Sequence, residues 1–110
     1  MAEGLSGFPE WLPEQELVQQ HVIATVRRQF ELHAFTPIHT RSIEKVEDLL
    51  SQGETDKEIF AVQRLNAEKS EDAKLALHYD LTVPFARYAL EHRNLLIFPF
   101  RRYQIQPAWR

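Results

Sequence analysis

The chain has 110 residues, which is enough for one small domain with a modest hydrophobic core. Hydrophobic residues make up 44% and charged residues 26% of the sequence, so the composition is that of a globular protein and indicates neither disorder nor a membrane span. The absence of cysteine excludes a disulfide framework and any thiolate metal site, and fits a cytoplasmic location. The first residues lack a basic stretch followed by an apolar one, so no secretory signal is predicted.

The net charge of −3 conceals an uneven distribution of charge. The segment from Glu44 to Glu58 is rich in acids, whereas the segment from Asn94 to Arg110 contains arginines and no acid. A basic terminal segment is suited to a phosphate-bearing ligand or to RNA. It is equally suited to ion pairs with acidic residues elsewhere in the chain, and the charge pattern alone leaves both interpretations open.

The amino-terminal part of the chain is predicted to be an arm followed by a long helix. Residues Phe8–Pro13 include the apolar Phe8, Trp11 and Leu12 and two prolines, which disfavour regular structure. Pro13 followed by acids is a favourable helix start, so we predict a helix over Pro13–His33. Its apolar residues recur every four positions, which predicts one buried face: Val18, Val22, Val26 and Phe30.

The next two predicted elements are an extended segment and a short helix. Residues Ala34–Thr40 are β-branched and aromatic, and Pro37 cannot donate to a ladder, so it is expected at an edge or an interface. A helix is predicted over Ser42–Leu50, with Ser42 as its cap and Gly53 as a left-handed exit.

A hairpin and a third helix are expected after that. Glu58–Gln63 and Lys74–Tyr79 are strand candidates joined by a polar link. Leu81–His92 is predicted to be helical with Pro84 in its first turn, because a proline deeper inside would break the helix. Two further strands are predicted, over Leu95–Phe98 and Phe100–Arg110. The last has no partner strand, so the chain is expected to stop in the middle of a hairpin.

Several classes of site have no support in the sequence. The three glycines are far apart, so a glycine-rich phosphate loop is absent and a nucleotide would have to be held by side chains. The five histidines include no pair four residues apart and no accompanying acid, so no metal site is predicted. The serines lie in polar, turn-like contexts that do not favour a nucleophile.

The candidate site is the corner between the fourth predicted strand and the third predicted helix. Asp80 at a helix start is typical of a capping residue, but it also suits a carboxylate partner for a ligand ammonium, with Thr82 as a second acceptor. Arg110 is either a solvated arginine or a phosphate clamp, for which its planar guanidinium is well suited. Residue spacing does not decide between these interpretations.

Three stretches of the chain carry a resemblance to a known family. Gly7–Pro13 is similar to the amino-terminal arm of the histidyl-tRNA synthetases, which are class II aminoacyl-tRNA synthetases. The first helix followed by Phe35–Ile38 resembles their motif 1. Leu77–Arg87 together with Arg101–Arg110 resembles their histidine-binding corner and the first strand of motif 2.

The resemblance implies an α+β fold and a set of roles. The whole chain would be a single partial domain, the amino-terminal portion of a class II catalytic core, with an antiparallel sheet flanked by helices and truncated within motif 2. It implies that Asp80 and Thr82 hold the ammonium of histidine, that Arg110 binds ATP at the α-phosphate, and that Pro37 lies at a homodimer interface. The implied partners are histidine, ATP with Mg²⁺ as its counter-ion, and tRNA, with no protein-bound metal and no membrane.

The resemblance also has departures and alternatives. The family often has arginine where this chain has His78, and the later family motifs lie beyond Arg110, so we predict that residues 1–110 alone do not aminoacylate tRNA. The regulatory subunit of ATP phosphoribosyltransferase shares the fold and the histidine site but charges no tRNA, and is an alternative. A structural dimerisation module is a third possibility.

Overall fold

The computed structural model describes residues 2–50, 58–66 and 74–110. The chain consists of two compact units, Met1–Thr36 and Pro37–Arg110.

The first unit is built on one helix. Helix α1 spans Pro13–Leu32, with a proline in its first turn and two acids beside it, as predicted to within one residue of the carboxyl end. The Leu12 N–H donates to Gln15 Oε1 at 3.0 Å, which satisfies one of the backbone donors that a helix start leaves free. After the helix, Ala34 has a φ of 64°, a left-handed conformation that turns the chain and ends the helical path.

The apolar stripe of α1 remains largely exposed in this chain. Helix α1 has no buried residue, and 53% of Val22 and 41% of Val26 are accessible to solvent. The predicted buried face is therefore wrong for this chain by itself. A four-residue repeat determines which side chains share a face of a helix, but it does not determine what covers that face.

The second unit contains a three-stranded antiparallel sheet and two helices. Strands β2 (Ile43–Lys45), β3 (Ala61–Val62) and β4 (Leu75–Leu77) are arranged in the order β2-β4-β3, so β4 is central. The pairing of Ala76 with both Glu44 and Ala61 sets the register. The predicted hairpin is confirmed, with strands shorter than expected, while most of its link lies outside the described residues.

The helix predicted over Ser42–Leu50 is wrong in its first half. Residues Ile43–Lys45 form β2, and only α2 (Val46–Leu50) is helical. Ser42 is not a helix cap: its carbonyl accepts the His78 N–H at 3.0 Å. Residues 43–45 form backbone pairs with strand β4, and this tertiary pairing outweighs a local sequence pattern that favours a helix. The predicted exit at Gly53 lies outside the described residues.

The third helix agrees with the prediction from the sequence to within one residue at each end. Helix α3 spans Thr82–Glu91, and the buried Pro84 lies in its first turn. The small core lies between the sheet, α2 and α3; its buried members are Leu49, Ala76 and Tyr79, with Val46, Ile59 and Val83 packed against them.

The predicted strand over Leu95–Phe98 is wrong. The N–H groups of Leu95 and Leu96 both donate to His92 O, at 2.8 and 3.1 Å, so they extend the end of α3 as turns instead of joining a ladder. Of the predicted strand over Phe100–Arg110, only β5 (Arg102–Tyr103) is regular. It forms a two-stranded sheet with β1 (Thr36–Pro37), and the Ile38 N–H donates to Tyr103 O at 3.1 Å. The mixed α and β architecture with an antiparallel sheet is therefore confirmed.

Candidate functional site

The candidate site lies where central strand β4 turns into α3. Strand β4 is held on both sides by β2 and β3, so its end is a fixed point in the second unit. The two residues after it, His78 and Tyr79, are buried, and Asp80 is half-buried. The chain therefore presents Asp80 from a firmly packed support, which is what a preorganised binding residue needs.

Asp80 has a weak capping contact. Its Oδ1 accepts the Val83 N–H at 3.4 Å, close to the upper limit for a hydrogen bond. The residue in the cap position of α3 is Leu81, whose side chain caps nothing. The capping interpretation of Asp80 is thus supported by a long bond that uses one oxygen, and the carboxylate has further acceptor capacity for a ligand.

The other residues expected in the site lie at the surface. Thr82 is the first residue of α3 and is exposed, so its hydroxyl is on the same corner as Asp80. Pro37 is exposed in β1, which belongs to the two-stranded sheet and not to the sheet that contains β4. Asp80 and Thr82 thus flank Leu81 at the start of α3, whereas Pro37 lies in β1.

The terminal segment runs beside the corner. His78 Nε2 and Pro107 O are 2.7 Å apart, and the Trp109 N–H donates to His78 O at 2.9 Å. The residue after Trp109 is Arg110, so these contacts place its backbone next to the strand end that leads to Asp80. Sequence reasoning named His78 only as a departure from the family pattern and missed this buried role, for which the sequence contains no local signal.

Arg110 is mostly exposed and weakly paired. Its Nε lies 3.9 Å from Glu58 Oε2, and its side chain is 65% accessible. An exposed ion pair of this kind contributes between about 0 and 1 kcal/mol. Glu58 belongs to the acidic segment. The contact is therefore an ion pair between the basic terminal segment and the acidic segment, one of the two interpretations that the charge pattern allowed. Such a weak pair leaves the guanidinium available to a phosphate.

A polar network holds the same terminal segment to the link between β1 and β2. The Gln106 side chain accepts the Thr40 N–H at 3.0 Å and donates to Thr40 O at 3.0 Å, so the amide takes the place of a neighbouring strand. Gln104 Nε2 donates to the Thr40 hydroxyl at 2.9 Å. The extended chain after β5 is thus fastened by side chains where the ladder has ended.

A buried carboxylate, that of Glu44, is paired with an arginine of α3. Only 1% of Glu44 is exposed, and its carboxylate lies 2.9 Å from Arg87 Nε and 3.4 Å from Arg41 Nη2. Arg87 also donates to Glu91 at 2.6 Å, and this hydrogen bond, together with the positive charge of Arg87, holds the pKa of Glu91 below its ordinary value of 4.5. These contacts tie β2 to α3. The sequence indicated Glu44 only as part of an acidic run and as helical.

Neither a metal cluster nor a membrane helix is found in the part of the chain that the structure describes. Within residues 2–50, 58–66 and 74–110, no three His, Asp or Glu side chains are grouped so that they could hold a metal ion. Over the same residues, every helix is too short or too polar to cross a bilayer.

Comparisons with known proteins find similarity to histidyl-tRNA synthetases. No family model matches the chain. A histidine–tRNA ligase from Micrococcus luteus is 55% identical over 96% of this chain, which corresponds to 26% of that protein. The crystal structure of histidyl-tRNA synthetase from Nostoc sp. PCC 7120 superposes with a TM-score of 0.84 and 38% identity, over 94% of this chain and 24% of that one.

Over nearly its whole length the chain is similar to a part of the histidyl-tRNA synthetases. The resemblance read from the sequence is thereby confirmed. The chain spans about a quarter of the length of the curated relatives it matches. A structure described as an ATP phosphoribosyltransferase regulatory subunit/histidyl-tRNA synthetase, from Bacillus halodurans C, has a TM-score of 0.77 at 20% identity, over the whole of this chain and 29% of that one, and so shows a shared fold only.

Proposed function

We propose that these 110 residues are part of a histidine–tRNA ligase that uses ATP to join histidine to its tRNA. The observation that carries the proposal is the 55% identity to a histidine–tRNA ligase over 96% of the chain. At this identity the corner and the terminal segment of the two proteins are directly comparable. The proposed reaction has two steps: histidine attacks the α-phosphate of ATP to give histidyl-adenylate and pyrophosphate, and the histidyl group then passes to the tRNA.

In the proposed site, Asp80 and Thr82 bind the α-ammonium of histidine. The half-buried Asp80 uses only one oxygen, at 3.4 Å, in its contact with Val83, so the carboxylate has acceptor capacity left for an ammonium. A charge-assisted hydrogen bond of this kind is about twice as strong as a neutral one. Thr82, exposed on the same corner, supplies a neutral hydroxyl acceptor.

Arg110 is proposed to bind the α-phosphate. As the amine attacks, negative charge grows on the phosphoryl oxygens, and a permanently charged, bidentate guanidinium stabilises that charge. Its pair with Glu58, at 3.9 Å and largely exposed, is weak enough for a phosphate to replace it. Mg²⁺ would arrive with ATP as the counter-ion of its phosphates, because the described residues offer no cluster of their own to hold it.

The partners follow from the same proposal. Histidine, ATP and tRNA are the substrates, and the protein works in the cytoplasm as a homodimer with the exposed Pro37 at the interface. The remaining site residues, those that recognise the imidazole of histidine, would lie in the longer protein. The regulatory-subunit alternative rests on a structure that is 20% identical, whereas the ligase proposal rests on identities of 50–55%.

The decisive experiment is histidine-dependent exchange of pyrophosphate into ATP, measured on the full-length protein. Wild-type protein is expected to catalyse the exchange, which a regulatory subunit would not. Asp80→Asn keeps an oxygen that accepts the Val83 N–H but removes the negative charge. Because the lost charge-assisted bond is worth about 1.5–3 kcal/mol, kcat/KM for histidine should fall about 10- to 100-fold.

The same experiment separates binding from capping. If Asp80 only caps α3, the Asn variant should retain wild-type kcat/KM, because asparagine caps as well as aspartate does. Glu47→Gln, which neutralises an exposed acid in α2, is the matched control and should not change kcat/KM. A full-length wild-type protein that shows no exchange would contradict the ligase proposal.

A further inference from the structure

His78 is a fully buried side chain at the crossing of three segments, with 0% of its surface exposed. Its N–H donates to Ser42 O at 3.0 Å, and its carbonyl accepts the Trp109 N–H at 2.9 Å. Its Nε2 lies 2.7 Å from Pro107 O, and its ring centroid is 5.5 Å from that of Trp109. Backbone and side chain therefore both connect the strand end of the corner with the terminal segment.

The chemistry of the side-chain contact specifies which nitrogen is protonated. A carbonyl oxygen only accepts, so Nε2 must donate to Pro107 O. Nδ1 is buried and has no hydrogen-bond partner within the described residues. A neutral imidazole that carries its proton on Nε2 satisfies the short bond and leaves Nδ1 as an unpaired acceptor. The interaction therefore depends on a donor at one defined position of the side chain.

Pro107 contributes only its carbonyl oxygen to the contact with His78. Proline has no N–H, so a ladder that passes residue 107 is interrupted there. The His78 side chain approaches the carbonyl of that same residue, and the backbone bond from Trp109 follows two residues later. The imidazole thus adds a side-chain bond to the backbone bond that joins the same two segments.

We propose that His78 is a positioning residue that holds the segment carrying Arg110 against the corner carrying Asp80. Asp80 follows His78 by two residues, and Arg110 follows Trp109 directly, so the contacts of His78 lie between the proposed ammonium site and the proposed phosphate clamp. This inference rests on the proposed function. A fixed separation between the two groups matters because the amine of histidine must be aligned with the α-phosphate, and small displacements in such geometry slow reactions strongly.

The test compares His78→Gln, His78→Asn and His78→Phe in the full-length protein. The glutamine amide nitrogen extends to about the position of Nε2 and can still donate to Pro107 O, whereas the shorter asparagine amide does not extend so far. Phenylalanine retains a ring beside Trp109 and removes the donor. The readouts are pyrophosphate exchange with separate KM values for ATP and histidine, together with the thermal midpoint of each variant.

His78→Asn, whose amide donor does not extend to Pro107 O, and His78→Phe, which has no donor, should each lose about 10- to 100-fold in kcat/KM for ATP, the scale expected of a misplaced catalytic group. KM for histidine should change less than KM for ATP, because Asp80 stays on its own strand end. His78→Gln should recover most of the lost activity. His21→Phe, which alters an exposed histidine in α1, is the matched control and should leave the exchange unchanged.

Three results would overturn the inference. The first is wild-type kcat/KM for ATP in the Phe and Asn variants. The second is an equal loss in all three variants that follows their thermal midpoints, which would indicate a structural role alone. The third is an absence of exchange in the wild-type protein, which would overturn the proposed function and this role with it. If His78→Phe does not fold, kcat/KM for ATP is compared between His78→Gln and His78→Asn, and equal values in these two variants would overturn the inference.

Discussion

Glu44 introduces a full negative charge into the interior of the second unit. A buried carboxylate is tolerated only when it is paired and hydrogen-bonded, and Arg87 and Arg41 supply both kinds of contact, at 2.9 and 3.4 Å. Arg87 also binds Glu91, so the guanidinium is shared between a buried and an exposed carboxylate. The pair links β2 to α3, and α3 begins at the corner that carries Asp80.

Replacement of Glu44 by Gln is expected to destabilise the chain by about 1.5–3 kcal/mol, because a buried charge-assisted bond is lost and the 18%-exposed Arg87 keeps its charge. Urea denaturation at pH 7 measures the change. The matched control is Glu47→Gln in the exposed part of α2, which should change the free energy of unfolding by less than about 0.5 kcal/mol. Equal stabilities of the two variants would show that the pair contributes nothing.

At the scale of elements, the two helices longer than α2 differ in what they bury. Helix α3 buries Pro84 and packs Val83 against the core, whereas α1 buries no residue. Leu49 of α2 is completely buried within that core. The stability of the second unit therefore depends on a few side chains, while the apolar face of α1 contributes little in this chain.

Truncation of two apolar residues tests this difference. Leu49→Ala should cost about 2–5 kcal/mol through lost transfer energy and the cavity that remains. Val22→Ala, on the exposed face of α1, should change stability by less than about 0.5 kcal/mol, because 53% of the side chain is already exposed. Urea denaturation of the 110-residue chain measures both. A comparable loss for Val22→Ala would mean that another surface covers α1 in solution.

At the scale of the whole molecule, the chain contains a part of the proposed site. Asp80, Thr82 and Arg110 lie in one unit, and the contacts of His78 and Trp109 join the two segments that carry them. The chain spans about a quarter of the length of its curated relatives, so most of the protein that would surround the substrates in those relatives lies in sequence that this chain does not include.

We therefore expect residues 1–110 to catalyse no histidine-dependent pyrophosphate exchange, because two substrates must be enclosed and aligned before the reaction proceeds. The assay is run on the purified chain beside the full-length protein under identical conditions. The full-length protein is the positive control. A clear histidine-dependent rate from the 110 residues would contradict this expectation and would place all the essential groups within them.

Local residue patterns were sufficient to predict several elements of this protein. Pro13 with its acids marked the start of α1, and Pro84 required α3 to begin within the turn that precedes it, because proline restricts a helix wherever it occurs. The family was also predicted from the sequence, since its motifs are contiguous stretches. Asp80, Thr82 and Arg110 were named from those motifs, and their roles remain predictions.

The tertiary structure decided what no local pattern specifies. Residues 43–45 are a strand because β4 provides a partner, and that pairing brings Glu44 into the interior beside Arg87. The apolar face of α1 is exposed in this chain. Its four-residue repeat could not predict that, because periodicity does not specify what covers a helix face. His78 is buried against Pro107, a residue 29 positions away, and a contact at that separation depends on the packing of the whole unit. The sequence by itself was enough to predict α1, α3, the hairpin and the resemblance to the family, and only the packed chain determined the strand at residues 43–45 and which polar groups are paired.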